Sequence, residues 1–241
     1  SIKALLKEMV WSATYRQHSK VSDELLKKDP NNKLYARGPR VRLSAEQLRD
    51  QALAVSSLLS EKMYGKSVMP FQPDGIWRSP YNGDTWQMST GEDQFRRALY
   101  IYWKRTAPYP SMITYDGGAR EVCVTRRIRT NTPLQALTTL NDSTYLVMAR
   151  QFAYQMQEHG GKEVNKQIQK GYETMLYKPI SEKRLSALVE LYKSSINKFR
   201  KDETATCEMI GVMNKHNHPE TAALVVVANA MLNLDEWVNK N

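Results

Sequence analysis

Cysteine is scarce in this chain: two residues in 241, Cys123 and Cys207. They form neither a Cys-x-x-Cys pair nor a Cys-x-x-Cys-His motif, which excludes a zinc ribbon and covalently attached haem in this sequence. Two thiols allow one bridge in an oxidising compartment or two free groups. Histidine is almost as rare, with four residues. His18 and His159 are isolated, and His216 and His218 stand two apart near Glu220. On a strand such a pair would share a face, but Pro219 reads as a helix start and turns His218 into an N-cap, so no metal site is expected. There is no Gly-x-Ser-x-Gly elbow and no phosphate-binding glycine loop. Long apolar runs are missing too. The longest aliphatic stretch, Ala222–Ala228, falls far short of the ~20 residues that span a bilayer. The opening "SIKALLKEMVWSATYRQ" carries lysines and a glutamate inside its apolar pattern, so it is an amphipathic helix rather than a signal peptide.

What is present is an ordinary globular balance, 41% hydrophobic and 25% charged, not the composition of a disordered chain. Lysine and arginine exceed acidic residues by 35 − 25, a formal charge of +10. That excess suits nucleic acid, anionic polysaccharide, anionic lipid or an acidic protein, and equally a solvated basic surface. Charge alone selects none of them.

The pattern predicts a mainly α fold, a single domain over 1–241 with a long irregular segment at about 65–132 and a helical scaffold over 133–241. Ile2, Leu5, Leu6, Met9, Val10 and Ala13 make the face of a first helix reaching about Tyr15. "LSAEQLRDQALAVSSLL" is a second clear helix, with Ser44 and Gln47 at capping-box spacing. From Gly65 to Gly91 neither period survives, and prolines, glycines and two tryptophans dominate. Leu99–Trp103 and "REVCVTRRI" alternate as strands do, which predicts a small β-sheet in the middle of the chain. In "TRRIRTNTPLQALTTLND", Thr132 is an N-cap, Pro133 takes the first helical position and Gln135 sits at the third, a second capping box. The helix resets at Asp142 and runs to "HGG". Further helices cover about Val164–Leu176, Ser181–Phe199 and Pro219–Trp237.

The residues with chemistry to offer gather in the irregular segment. Arg78, Arg96, Arg97, Lys104, Arg105, Arg120, Arg126, Arg127 and Arg129 interleave with Trp77, Tyr81, Trp86, Tyr100, Tyr102, Trp103, Tyr109 and Tyr115. A guanidinium pairs bidentately with carboxylate, sulfate or phosphate, and aromatic faces stack on sugar rings or bases. The candidate ligand-binding set is Trp77, Arg97, Arg105, Arg126, Arg127 and Arg129. The competing reading makes these arginines internal braces paired with Glu92, Asp93, Asp116 and Glu121. By strand alternation Arg127 and Arg129 share a face, expected to meet the Gly65–Gly91 loop, while Arg126 points the other way. Asp74, Asp84, Glu92, Asp93 and Asp116 supply carboxylates for general acid–base work, but the sequence brings no two of them together.

Six segments carry a family resemblance, in order: "SATYRQ", "YARGPRVRLSAEQLRDQALAVSSLLS", "PFQPDGIW", "LYIYWKRTAPYPSM", "REVCVTRRIRTNTPLQALTTLND" and "ANAMLNLDEWV". Together they resemble the planctomycete-type PSD domain family, a domain of unknown function. The resemblance implies the C-terminal part of a large exported protein of planctomycetes, verrucomicrobia or bacteroidetes. It implies an extracytoplasmic location and a cytochrome-c-like module upstream, so haem belongs to that module and no cofactor to this chain. It also implies that the domain begins before Ser1, and that glycan-degrading neighbours surround it. No catalytic residue comes with it. The expectation is therefore a binding or accessory module for anionic polysaccharide. The alternative is a glycan-acting enzyme, oxidative or hydrolytic, completed by upstream residues. A nucleic-acid role is disfavoured by the exported context and by the lack of a recognised nucleic-acid fold. Cys123, expected in a short buried strand, and Cys207, in a helix, are expected to stay unpaired.

Overall fold

The computed structural model describes residues 1–77, 85–118, 120, 122–211 and 216–240. Arg78, Tyr81, Asp84 and Glu121 lie outside the described residues. The fold is mainly helical, as the sequence pattern predicts. The chain divides into two compact units, Ser1–Leu43 with Val238–Asn241, and Ser44–Trp237.

The smaller unit holds α1 (Ile2–Trp11), α2 (Asp23–Lys28) and a two-stranded antiparallel sheet of β1 (Val41–Arg42) and β2 (Asn239–Lys240). The Ser22 hydroxyl caps α2 by accepting from the Leu25 amide. The Asp29 carboxylate then accepts from Lys33 and Leu34 amides at 2.8 and 2.7 Å and closes the following turn. The sheet thus joins the two ends of the chain. In the middle, where alternation predicted strands, Leu99 lies in a 3-10 turn (Ala98–Tyr100) and only Ile101 bridges, in parallel, to Val68. Residues 122–130 have no strand partner among the described residues.

The larger unit is organised by its last helices: α5 (Pro133–Asn141), α6 (Ser143–Gly160), α7 (Val164–Leu176), α8 (Glu182–Phe199), α9 (Glu203–Ile210) and α10 (Pro219–Met231). α10 is apolar nearly all round, with Ala222, Ala223, Leu224, Val225, Val227 and Ala228 fully buried, the signature of a central helix. α6, α8 and α9 pack around it. α6 and α7 approach closely because Gly171 has no side chain; a Cβ there would lie 2.8 Å from Met156 Cγ. Asp142 ends α5 and starts α6, its carboxylate accepting from Thr144 and Tyr145 amides, which is the reset expected there. α10 stops at Met231, short of Trp237, and a separate turn, α11 (Asp235–Val238), follows. α9 escaped the sequence pattern because it is short and weakly amphipathic; Asp202 caps its start and Gly211, at φ 84°, its end.

Ahead of these helices come α3 (Ala45–Val55), with both arms of the Ser44–Gln47 capping box in place, and then irregular chain up to α4 (Pro110–Thr114). Buried side chains hold that chain by its backbone. Arg96, 2% exposed, donates to the carbonyls of Lys62, Tyr64 and Lys66 and stacks its guanidinium 3.8 Å over the Tyr100 ring. Arg49, equally buried, donates to the Gln94 carbonyl at 2.8 Å. The neighbouring Asp50 accepts from the Ala98 amide at 2.7 Å. Trp86 and Tyr109 likewise spend their polar atoms on the Pro70 and Phe71 carbonyls.

Candidate functional site: an arginine-lined cleft

The segment between α4 and α5 is pinched at its base. Asp116 adopts φ 59° and its carboxylate accepts from the Thr130 amide at 2.6 Å and from the Thr130 hydroxyl. Gln135, fully buried on α5, adds its carboxamide to Asp116, to Thr130 and to the Thr114 carbonyl. The Thr132 hydroxyl accepts from the Gln135 amide, so the N-cap is as expected. The Gln135 side chain, however, goes into this network. Gly117 is required at the start of the segment, since a Cβ there would sit 2.6 Å from the Met112 carbonyl oxygen.

The pinched segment and Arg105 together border an open cleft of about 770 Å³. Arg105, Arg120, Cys123, Arg126 and Arg127 line it. Arg120 lies 4.6 Å over the Trp103 ring, a cation–π contact that holds a guanidinium on a flat platform. Arg127 donates from one nitrogen, Nη1, to both carboxylate oxygens of Glu46 in the first turn of α3, at 2.8 and 3.0 Å. Burial by itself would raise the Glu46 carboxyl; the Arg127 hydrogen bond, with help from its own backbone and Ser44, holds it below its ordinary range instead. Arg105 and Arg126 are both exposed and have no carboxylate partner among the described residues. The cleft therefore presents three guanidiniums, of Arg105, Arg120 and Arg126, that no carboxylate among the described residues pairs with.

Of the six residues singled out in the sequence, the cleft gathers Arg105, Arg126 and Arg127. The other three lie outside its lining. Trp77 is buried edge-on against Trp86 and Tyr102 with Lys104 Nζ 4.1 Å over its ring, so it is a core aromatic. Arg97 caps the 3-10 turn at Ala98–Tyr100, where its charge acts on Asp50. Arg129 is exposed beyond the cleft lining and is engaged within the protein. Arg127 meets its carboxylate on α3, not in the Gly65–Gly91 loop. Arg120 and Trp103 belong to the site although neither was chosen. The "YDGG" run, Tyr115–Gly118, is the signal that could have placed them, because it marks a sharp turn that folds Arg120 back over Trp103.

The carboxylates offered for acid–base work are dispersed. Glu92 accepts from the Ser60 hydroxyl, Asp93 pairs with Lys62 at 3.0 Å, and Asp116 is taken up by Thr130 and Gln135. Cys123 is free and exposed, not in a buried strand, because its segment pairs with no strand among the described residues; Cys207 is free and half-buried. His218 caps α10, and His216 stacks 4.0 Å on Tyr154. No helix among the described residues is long and apolar enough to cross a membrane.

In comparisons with known proteins, the family PSD1, protein of unknown function (DUF1553), matches residues 1–192, more than half of the chain. No curated protein and no solved structure matches.

Proposed function

The chain belongs to the PSD1 family of proteins of unknown function, so its role has to be read from its own site, and we propose that the arginine cleft binds an anionic polysaccharide. The observation that carries this reading is the pair Arg105 and Arg126, exposed in one cleft with no carboxylate partner among the described residues. Unpaired guanidiniums close together repel one another, and an anion that bridges them relieves that repulsion while making charge-assisted bonds. Sulfate and carboxylate groups match the guanidinium fork, and a chain carrying them repeatedly suits an open cleft of about 770 Å³ better than a single small anion does. Arg120 on the face of Trp103 adds a flat cationic surface against which a sugar ring can lie.

A binding role is favoured over glycan cleavage because Asp116, which pinches the base of the segment bordering the cleft, is already held by Thr130 and Gln135, and no carboxylate among the described residues lines the cleft. The context belongs to the same reading: an extracytoplasmic module beside a cytochrome-c-like domain, holding a polysaccharide for a longer protein.

The test is titration of dextran sulfate and polygalacturonate against the wild type and Arg105→Ala/Arg126→Ala, at low and raised salt. Loss of two charge-assisted contacts is expected to weaken binding about tenfold or more and to flatten its salt dependence. Absent or unchanged binding overturns the reading. Tighter binding of a single-stranded oligonucleotide of equal charge would turn it toward nucleic acid.

A further inference from the structure

Val122–Ile128 has the sequence of a strand and pairs with no other strand among the described residues. Val122, Val124, Thr125 and Ile128 are β-branched, the residue type that favours extended, half-buried chain. Yet Val122, Val124 and Ile128 are 73%, 64% and 83% exposed. Among the described residues the backbone of Val122–Ile128 makes no hydrogen bond. The flanks are tethered, by Gly117 on the Met112 carbonyl and by Thr130 on Asp116. A tethered, β-branched run with its amides and carbonyls open is a template for an incoming strand.

We infer that Val122–Ile128 is a strand-addition edge whose partner is an extended peptide alternating acidic and apolar residues. In a strand, Val122, Val124, Arg126 and Ile128 share one face, and Cys123, Thr125 and Arg127 the other. Apolar residues of the added strand would cover Val122, Val124 and Ile128 on the first face. Acidic residues on the second would answer the field of Arg127 and of Arg105 and Arg120, which border the same cleft. Charge decides against a second copy of this chain, because self-pairing would bring the basic clefts of two copies, each with Arg105, Arg120, Arg126 and Arg127, together. The backbone bends at Val122, Thr125 and Arg126 straighten on pairing, and this ordering lowers the affinity. The inference rests on open backbone groups, whereas polysaccharide binding rests on the Arg105 and Arg126 side chains, so the two can fail separately.

The probe is a blocked heptapeptide alternating glutamate and valine, titrated by calorimetry with amide hydrogen exchange as the second readout. Saturable binding and slowed exchange across Val122–Ile128 are expected. Two N-methylated versions, on the valines or on the glutamates, block alternate edges of the peptide, and one of them is expected to bind about tenfold more weakly. Val124→Pro and Thr125→Pro remove donors from the two edges of the segment at unchanged charge. One of the two is expected to weaken the peptide about tenfold. Neither residue has a backbone bond to lose, so the fold survives both. No binding of the peptide overturns the inference. Equal binding of both N-methylated versions also overturns it, because charge alone is then at work. Self-association of the protein through this segment overturns it in favour of a second copy.

Discussion

Within the larger unit, the chain before α5 and the helices after it are stabilised in different ways. From α6 to α10 the interior is apolar side chain against apolar side chain, with Phe152, Met156, Ile168, Leu224 and Met231 essentially without exposure. Backbone polar groups there are satisfied inside each helix, so packing alone has to be right. Between α3 and α5 the described backbone forms few regular bonds, and side chains satisfy it instead: buried Arg96 on three carbonyls, buried Arg49 on one, half-buried Asp50 on an amide. Arginine has two fates in that region. Arg49 and Arg96 are buried and brace carbonyls; Arg105, Arg120 and Arg126 face an open cleft. Brace and open cleft are thus separated residue by residue among these arginines.

The largest way to break this comparison is Arg96→Met. It keeps most of the bulk but strands three carbonyls, and a loss of about 3 kcal/mol in urea unfolding is expected. Met156→Leu, a volume-conserving change in the helical half, is expected to cost less than about 1.5 kcal/mol. Equal costs would remove the distinction. Thr132→Ala deletes the N-cap of α5 and is expected to cost about 1 kcal/mol. It should leave dextran sulfate binding nearly intact; lost binding without a melting shift would move Thr132 into the site.

A smaller effect is expected at Glu46–Arg127, whose side chains are 25% and 37% exposed. About 0.5 kcal/mol is expected from such a pair. The folded carboxyl sits below its ordinary value of 4.5. The contribution is therefore present above pH 4.5 and is lost as pH falls through the lower folded value. Comparing wild type with Glu46→Gln from pH 3 to 6 reads it: the stability difference should vanish at the acid end. Smallest of all, Arg105→Ala/Arg126→Ala should change stability by no more than about 0.5 kcal/mol, since both side chains are exposed and neither pairs with a carboxylate among the described residues. A large loss would return both to the class of Arg96.

Most of the helices were legible because their signals are local. Ser44 with Gln47, Thr132 with Pro133, Asp142, and His218 with Pro219 each mark a helix start within a turn of sequence. The site was legible only in part. Arg105, Arg126 and Arg127 were found as members of a basic, aromatic-rich stretch, but Trp77 and Arg97 share that composition and face elsewhere. Strand alternation over Leu99–Trp103 gave way to a 3-10 turn and one bridge at Ile101. Alternation shows that a segment can pair; it does not supply a partner.

The sequence by itself determined the mainly α class, the positions of the helix caps and the basic character of the middle segment. Each of these depends on residues within a turn or two of one another, or on composition. Only the tertiary structure decided which arginines are buried under carbonyls and which face the cleft, and that the sheet joins residues 41–42 to 239–240. It also decided that Arg127 meets Glu46 across 81 positions of sequence. Such contacts are set by where the chain returns in space, and an arginine has the same side chain whether it meets a carbonyl, a carboxylate or open water.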